Sequence, residues 1–178
     1  MAFINPYQIL QEKINLEPGS QVTELGCGHG FFALEAAKII GQEGKLHAVD
    51  VQKTALSALR DKIKLENIQT NIEYIWADIE IVGATKIPEN SCDLVILSNV
   101  LFQSKKVDKM IEECKRIVKQ EGKILVIDWK QKGAADGGPP ANLRVDLNKL
   151  KEIIQNLGMQ IAEEFEASRF HWGLIVRE

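Results

Sequence analysis

The sequence has no surplus of basic charge: 22 lysines and arginines face 25 aspartates and glutamates, for a net charge of −3. Without that surplus a chain has little nonspecific hold on a phosphate backbone, so nucleic acid is not an expected partner. A local group of lysines, Lys105, Lys106 and Lys109, reads as the solvated start of a helix. Cysteine is scarce as well. Cys27, Cys92 and Cys114 are odd in number and too widely separated to clip a metal ion, which leaves no metal site to expect and favours a reducing compartment. Long apolar runs are also missing. Nothing approaches the roughly 20 residues needed to span a bilayer, and the first residues lack the basic and apolar regions of an export signal. The expectation is a cytoplasmic protein that is neither exported nor membrane-spanning. Hydrophobic residues make up 45% of the 178, enough for the core of a single domain over residues 1–178 and not for a second. No internal repeat or low-complexity segment is found.

What is present is organised around Val22 to Gly30, which reads Val-Thr-Glu-Leu-Gly-Cys-Gly-His-Gly. This is the form of a strand running into a glycine loop that opens a helix, whose free N–H groups and positive dipole end suit an anionic or strongly polar ligand. A dinucleotide fingerprint needs its third glycine at position 31, and Phe31 stands there.

The rest of the pattern supplies a frame for that loop. Asn5-Pro6 opens a helix with Ile9, Leu10 and Ile14 on its inner face. Gln21 to Leu25 is the first strand, and Phe32, Ala33, Ala36, Ala37 and Ile40 then recur at helical spacing. A strand over Lys45–Asp50, a helix carrying Ala55, Leu56, Leu59 and Ile63, and a strand carrying Ile72, Tyr74 and Trp76 follow. Asp93 to Ser98 contains Leu-Val-Ile-Leu, the apolar run that a strand buried on both faces requires. Met110, Ile111, Cys114, Ile117 and Val118 predict a helix, which Gly122 breaks before a second buried strand over Lys123–Asp128. Strand and helix alternate, which implies an α/β fold: a doubly wound, mostly parallel sheet with helices on both faces. After a glycine- and proline-rich loop over 130–142, Leu147 to Leu157 restores helical spacing. The last two strands, 159–165 and 170–177, are joined so tightly that the final one must run antiparallel to its neighbour.

In such a sheet, ligands bind outside the carboxyl ends of the parallel strands. Asp50 ends the second strand, twenty positions beyond Gly30, where a carboxylate can accept from both hydroxyls of a ribose. Asp78-Ile79 follows the third strand and could meet an adenine, the carboxylate at its amino group and Ile79 on the ring.

Glu24-Leu-Gly-Cys-Gly-His-Gly30, Ala48-Val-Asp50, Ala77-Asp78 and Asp93-Leu-Val-Ile-Leu-Ser-Asn99 resemble, in form and order, the successive motifs of class I S-adenosylmethionine-dependent methyltransferases. Gln120-Glu-Gly-Lys-Ile-Leu125 is similar to that family's next strand, and Trp129-Lys130 with its Gly-Gly-Pro-Pro resembles a small prokaryotic subgroup. The resemblance implies seven strands in the order 3-2-1-4-5-7-6 with strand 7 antiparallel, S-adenosyl-L-methionine as cofactor, and methyl transfer as the activity. It also implies a binding set. Glu24, Gly26, Gly28 and Gly30 form the loop around the methionine portion, Asp50 meets the ribose, Val51 and Ile79 face the adenine, and Asp78 meets its amino group. Backbone at Ser98 and Asn99 then holds the methionine amino end.

Methyl transfer from a sulfonium asks mainly for alignment and exclusion of water. If a base serves, the antiparallel last strand brings its first residues to the edge where Asp128 and Trp129 end, so His171, oriented by Asp128, is the candidate catalytic base. His29 and His47 read as structural. The loop over 130–142 is a candidate lid, with Arg144 beyond it for an acidic substrate group.

Ser98-Asn-Val-Leu-Phe102 lacks the Asn/Asp-Pro-Pro-Tyr/Phe arrangement of enzymes that methylate base or glutamine nitrogens, and no Pro-Cys pair offers the nucleophile of cytosine-C5 enzymes. The cysteine spacing does not suit a thiophilic metalloid. A small-molecule substrate is the expectation that remains. Two other classes compete with it. A catalytically silent S-adenosylmethionine-binding sensor or partner subunit would keep the same motifs; an NAD-dependent oxidoreductase has Phe31 and the final hairpin against it. Oligomeric state is not legible.

Overall fold

The computed structural model describes residues 4–131 and 138–178. The first helix, α1, starts at Pro6 with Asn5 as its cap, the Asn5 side chain accepting from the Gln8 amide at 3.1 Å. Its α-helical part, Pro6–Gln8, continues as a wider π-helical stretch over Ile9–Ile14. Then come β1 (Gln21–Leu25), α2 (Phe31–Ile40), β2 (Lys45–Asp50), α3 (Lys53–Leu65), β3 (Asn71–Trp76) and β4 (Cys92–Ser98). The chain ends with α4 (Val107–Ile117), β5 (Val118–Trp129), α5 (Leu147–Asn156), β6 (Gln160–Ser168) and β7 (His171–Arg177).

The seven strands of the described residues join one sheet in the order β3-β2-β1-β4-β5-β7-β6, with β7 antiparallel to both its neighbours. This is the expected order. The sheet separates two apolar cores because strand side chains alternate in direction. Val22, Leu46, Ile96 and Ile127 face α1, α2 and α3, whereas Leu25, Val49, Val95 and Val126 face α4 and α5. Strands β1, β2, β4 and β5 are buried on both faces, and Leu94–Leu97 of β4 and Ile124–Ile127 of β5 are unbroken apolar runs, while β1 and β2 bury Thr23, Glu24, His47 and Asp50 among their apolar residues.

One boundary differs from the sequence reading. Val118 does not prolong α4; it is already the first residue of β5, extended at φ −71° and ψ 144°, and pairs with Cys92. The β4–β5 register then shifts before Leu94 meets Lys123. Gly122 lies in that irregular stretch, where a Cβ would stand 2.9 Å from the Cys92 carbonyl oxygen. Its smallness serves a close approach of two strands, not the end of a helix.

Residues 132–137 of the expected lid over 130–142 lie outside the described residues. Of its flanks, Lys130 donates its amide to Phe170 O, and Arg144 donates to the carbonyls of Lys130 and Pro139. No helix among the described residues is long and apolar enough to cross a membrane.

Candidate active site

The four parallel strands β1 to β4 end at one edge, and the segments that follow them enclose a cavity of about 540 Å³. Eight of the residues singled out above line it: Gly26, Gly28, Asp50, Val51, Asp78, Ile79, Ser98 and Asn99. Glu24 and Gly30 are not on its surface.

Backbone geometry explains the division of work in the glycine loop. Gly26 and Cys27 both donate amides to Val49 O, at 2.8 and 2.9 Å, which ties the loop to the end of β2. Gly28 has φ +50° and nothing within 4 Å of the place a Cβ would take, so it leaves space at the cavity wall. Gly30 has φ +78°, and a Cβ there would lie 2.3 Å from Leu59 Cδ1 on α3. One glycine makes room for a ligand and the other for the core.

Glu24 holds the loop from behind. It is 2% exposed, and its Oε2 accepts the Ala33 amide at 2.7 Å. Gly30, the residue before α2, has no side chain with which to cap that helix. Glu24 takes over that task from β1, answering one of the free N–H groups of the first turn. Burial pushes its carboxyl up to about 8, with Asp50 adding to the rise and the α2 amides opposing it. The folded state therefore keeps a proton that the unfolded chain releases above its ordinary value of 4.5. This contribution to stability is full below about pH 4.5 and declines as pH rises toward 8. Glu24→Gln is expected to remain folded and to remove a decline of about 1 kcal/mol per pH unit between pH 6 and 7.5. Urea midpoints at several pH values check this; parallel wild-type and variant profiles would refute it.

Asp50 sits at the end of β2 with both oxygens turned to the loops. Oδ2 accepts the Gly28 amide and Oδ1 the Gln52 amide, each at 2.8 Å. A carboxylate oxygen carries two lone pairs, so each can still accept another bond. Asp78 Oδ1 accepts the Glu80 amide at 2.9 Å, which shapes the turn after β3. Val51, 54% exposed, and Ile79, 6% exposed, give the cavity two apolar walls. Asn99, after β4, has φ +53° and donates its amide to Ile127 O at 2.9 Å. Its Oδ1 is buried with no hydrogen-bond partner.

Several lining residues escaped the sequence reading: Glu80, Val100, Gln103, Ser104 and Met110 among them. Glu80 and Ser104 belong to different loops and meet across the cavity, Ser104 Oγ donating to Glu80 Oε1 at 2.6 Å. Ser104 Oγ also accepts the Lys106 amide at 2.9 Å, so a serine just ahead of a helix was the one available signal.

The expected pairing of Asp128 with His171 is absent. Asp128 Oδ2 accepts the Leu101 amide at 3.1 Å and Oδ1 the Trp129 amide at 2.7 Å. His171 Nδ1 lies instead 2.8 Å from Ser168 Oγ, its Nε2 has no partner, and its ring packs 4.1 Å from that of Trp129. Burial, with Lys130 and Arg144 nearby, lowers the His171 imidazole to about 4. Neither residue lines the cavity. The physical reason is that peptide N–H groups, of Leu101 in the turn after β4 and of Trp129 at the end of β5, claim the Asp128 oxygens first. His47 is buried at 3.1 Å from Thr23 Oγ1, a packing role in agreement with its reading.

Fold and cavity together define an α/β protein with a cavity at the carboxyl ends of its parallel strands, the place where sheets of this kind bind ligands. A family profile described as a methyltransferase domain matches residues 23–126, more than half of the chain, and the chain belongs to that family. Among curated relatives, it is 29% identical over 120 residues to a ubiquinone/menaquinone biosynthesis C-methyltransferase, UbiE, from Hydrogenovibrio crunogenus, covering 67% of this chain and 46% of that one. To UbiE of Vibrio cholerae it is 24% identical over 158 residues, covering 86% and 56%. The chain thus spans about half the length of the curated relatives it matches. Among solved structures, an S-adenosylmethionine-dependent methyltransferase from Aquifex aeolicus superposes with a TM-score of 0.85 at 24% identity, over 97% of this chain and 89% of that one. The [4+2]-cyclase SpnF shares the fold at a TM-score of 0.78 and 16% identity, over 97% and 79%.

Proposed function

We propose that this chain is an S-adenosylmethionine-dependent methyltransferase that passes a methyl group to a small-molecule nucleophile. The observation that carries the reading is the convergence of Gly28, Asp50, Asp78 and Asn99, from four successive parallel strands, on one cavity of about 540 Å³. The donor set fits the cofactor: open space beside Gly28, spare lone pairs on Asp50 and Asp78, and an unanswered acceptor on Asn99. When bound, S-adenosylmethionine supplies an electrophilic methyl on a good leaving group.

The chain's own residues align it. Asp50 accepts from the ribose hydroxyls, Asp78 meets the adenine amino group between Val51 and Ile79, and the Ser98–Asn99 backbone holds the methionine amino end. Glu24 and Gly30 act one step behind, through α2 and Leu59. His171 and Asp128 are assigned no proton transfer, because neither lines the cavity and they are not bonded to each other. The names of the UbiE relatives support a small molecule as acceptor. Free, buried Cys27, Cys92 and Cys114 support the reducing environment of the cytoplasm and one methyltransferase domain over 1–178 needs no staple.

Calorimetric titration with S-adenosylhomocysteine beside NAD tests the cofactor. Micromolar binding of the first and none of the second is expected, and a preference for NAD would overturn the reading. A screen of small nucleophiles with labelled methyl donor then separates an enzyme from a silent sensor.

A further inference from the structure

Taking the cavity as the cofactor site, we propose that Asp128 is a positioning residue for it: the carboxylate gathers the amides of the turn after β4 from behind and fixes Asn99 and Val100 as the cavity wall. Asp128 is fully buried near the end of β5. It accepts from Leu101 N and Trp129 N, and the Phe102 amide adds to the same cluster. One residue earlier, Ile127 O takes the Asn99 amide. The turn is therefore tied to β5 at two consecutive residues.

That tie is needed because the turn is not at rest in its shape. Asn99 lies in the left-handed region, which asparagine tolerates better than other non-glycine residues but which is still a sparsely occupied backbone conformation. Val100 stands against Gly26, where even a Cβ would come within 2.5 Å of Val100 Cγ2. Asn99, Val100, Gln103 and Ser104 line the cavity, while Leu101 between them is buried in the core. A small release of the turn thus moves the wall and the glycine loop together.

Among the described residues, no cationic side chain is bonded to the Asp128 carboxylate. The segment from Ser98 to Ser104 carries no charged side chain. From β7 the neighbouring titratable group is His171, uncharged until about pH 4. Lys130, just after β5, pairs with Glu166, and Arg144 is bonded to backbone carbonyls. Among the described residues, the peptide N–H groups of Leu101, Phe102 and Trp129 meet the charge, and burial pushes the carboxyl up to about 6. Protonation turns one acceptor oxygen into a donor and loosens the cluster. The window from pH 7 to 5 lies below the titration of Glu24, near 8, and above that of His171.

The test is the dissociation constant of S-adenosylhomocysteine at pH 7 and pH 5 for wild type and Asp128→Asn. Wild type is expected to weaken about tenfold on acidification, as one proton taken up near pH 6 allows. Asp128→Asn is expected to bind about tenfold more weakly than wild type at pH 7 and to show no further change at pH 5. In ligand-free wild type, hydrogen exchange should find the Leu101 and Phe102 amides less protected at pH 5, with Val95 and Leu97 of β4 unchanged. Equal wild-type affinity at both pH values, or a variant that keeps the pH dependence, overturns the proposal. Should the variant fail to fold, wild-type binding and exchange decide alone. Wild type that binds no S-adenosylhomocysteine at either pH refutes the cofactor reading instead, and exchange then decides whether Asp128 holds the turn.

Discussion

Gly30→Ala is expected to lose about 3 kcal/mol of stability, the sum of left-handed strain and an overpacked core. The added methyl would have to enter a space that Leu59 already fills, and Leu59 is itself fully buried between α3 and the first core. For a chain of this size the loss corresponds to a fall of roughly 10 °C in melting temperature. Gly28→Ala makes the control. It carries the same kind of backbone strain but meets nothing within 4 Å, so it should cost only about 1 kcal/mol while placing a methyl in the cavity. Thermal melts of the two variants check the argument. Equal losses would mean that strain alone, and not the approach of α3, demands glycine at position 30.

Asp50→Ala should reduce affinity for S-adenosylhomocysteine about 100-fold, because two charge-assisted hydrogen bonds to a ribose are worth about 3 kcal/mol together. The same change strips the Gly28 and Gln52 amides of their acceptor, at a cost of about 1 kcal/mol each at a partly wetted site. Melting temperature should therefore fall by a few degrees while binding nearly disappears. Titration calorimetry beside a melt separates the two effects. Affinity within threefold of wild type would remove Asp50 from ligand contact and leave it a loop anchor.

The fold was legible because its signals are local or nearly so. Apolar alternation and runs mark the strands, 3.6-residue spacing marks α2 to α5, and the two residues between β6 and β7 allow only reversal. The end of α4 was not legible for a nonlocal reason: Val118 becomes a strand residue because Cys92, 26 positions earlier, pairs with it. The cavity residues that could be read lie directly at strand ends, where the chain order already brings them together. Glu24 was assigned to the ligand because its motif sits in the loop's sequence, yet its carboxylate reaches nine residues ahead to Ala33. Asp128 was paired with His171 on the strength of strand direction alone. Direction brings Trp129 opposite His171 and Asp128 opposite Trp172, and side-chain alternation then points neighbours apart.

The bond between Ser104 and Glu80 joins two segments that no secondary structure connects, and both segments are walls of the same cavity. A link of this kind governs time more than affinity. A ligand that passes between the two segments would have to wait for it to break, and the bond could close again behind the ligand. Exchange of bound for free molecules would then be paced by loop motion on the microsecond-to-millisecond scale, well below the rate of diffusive encounter.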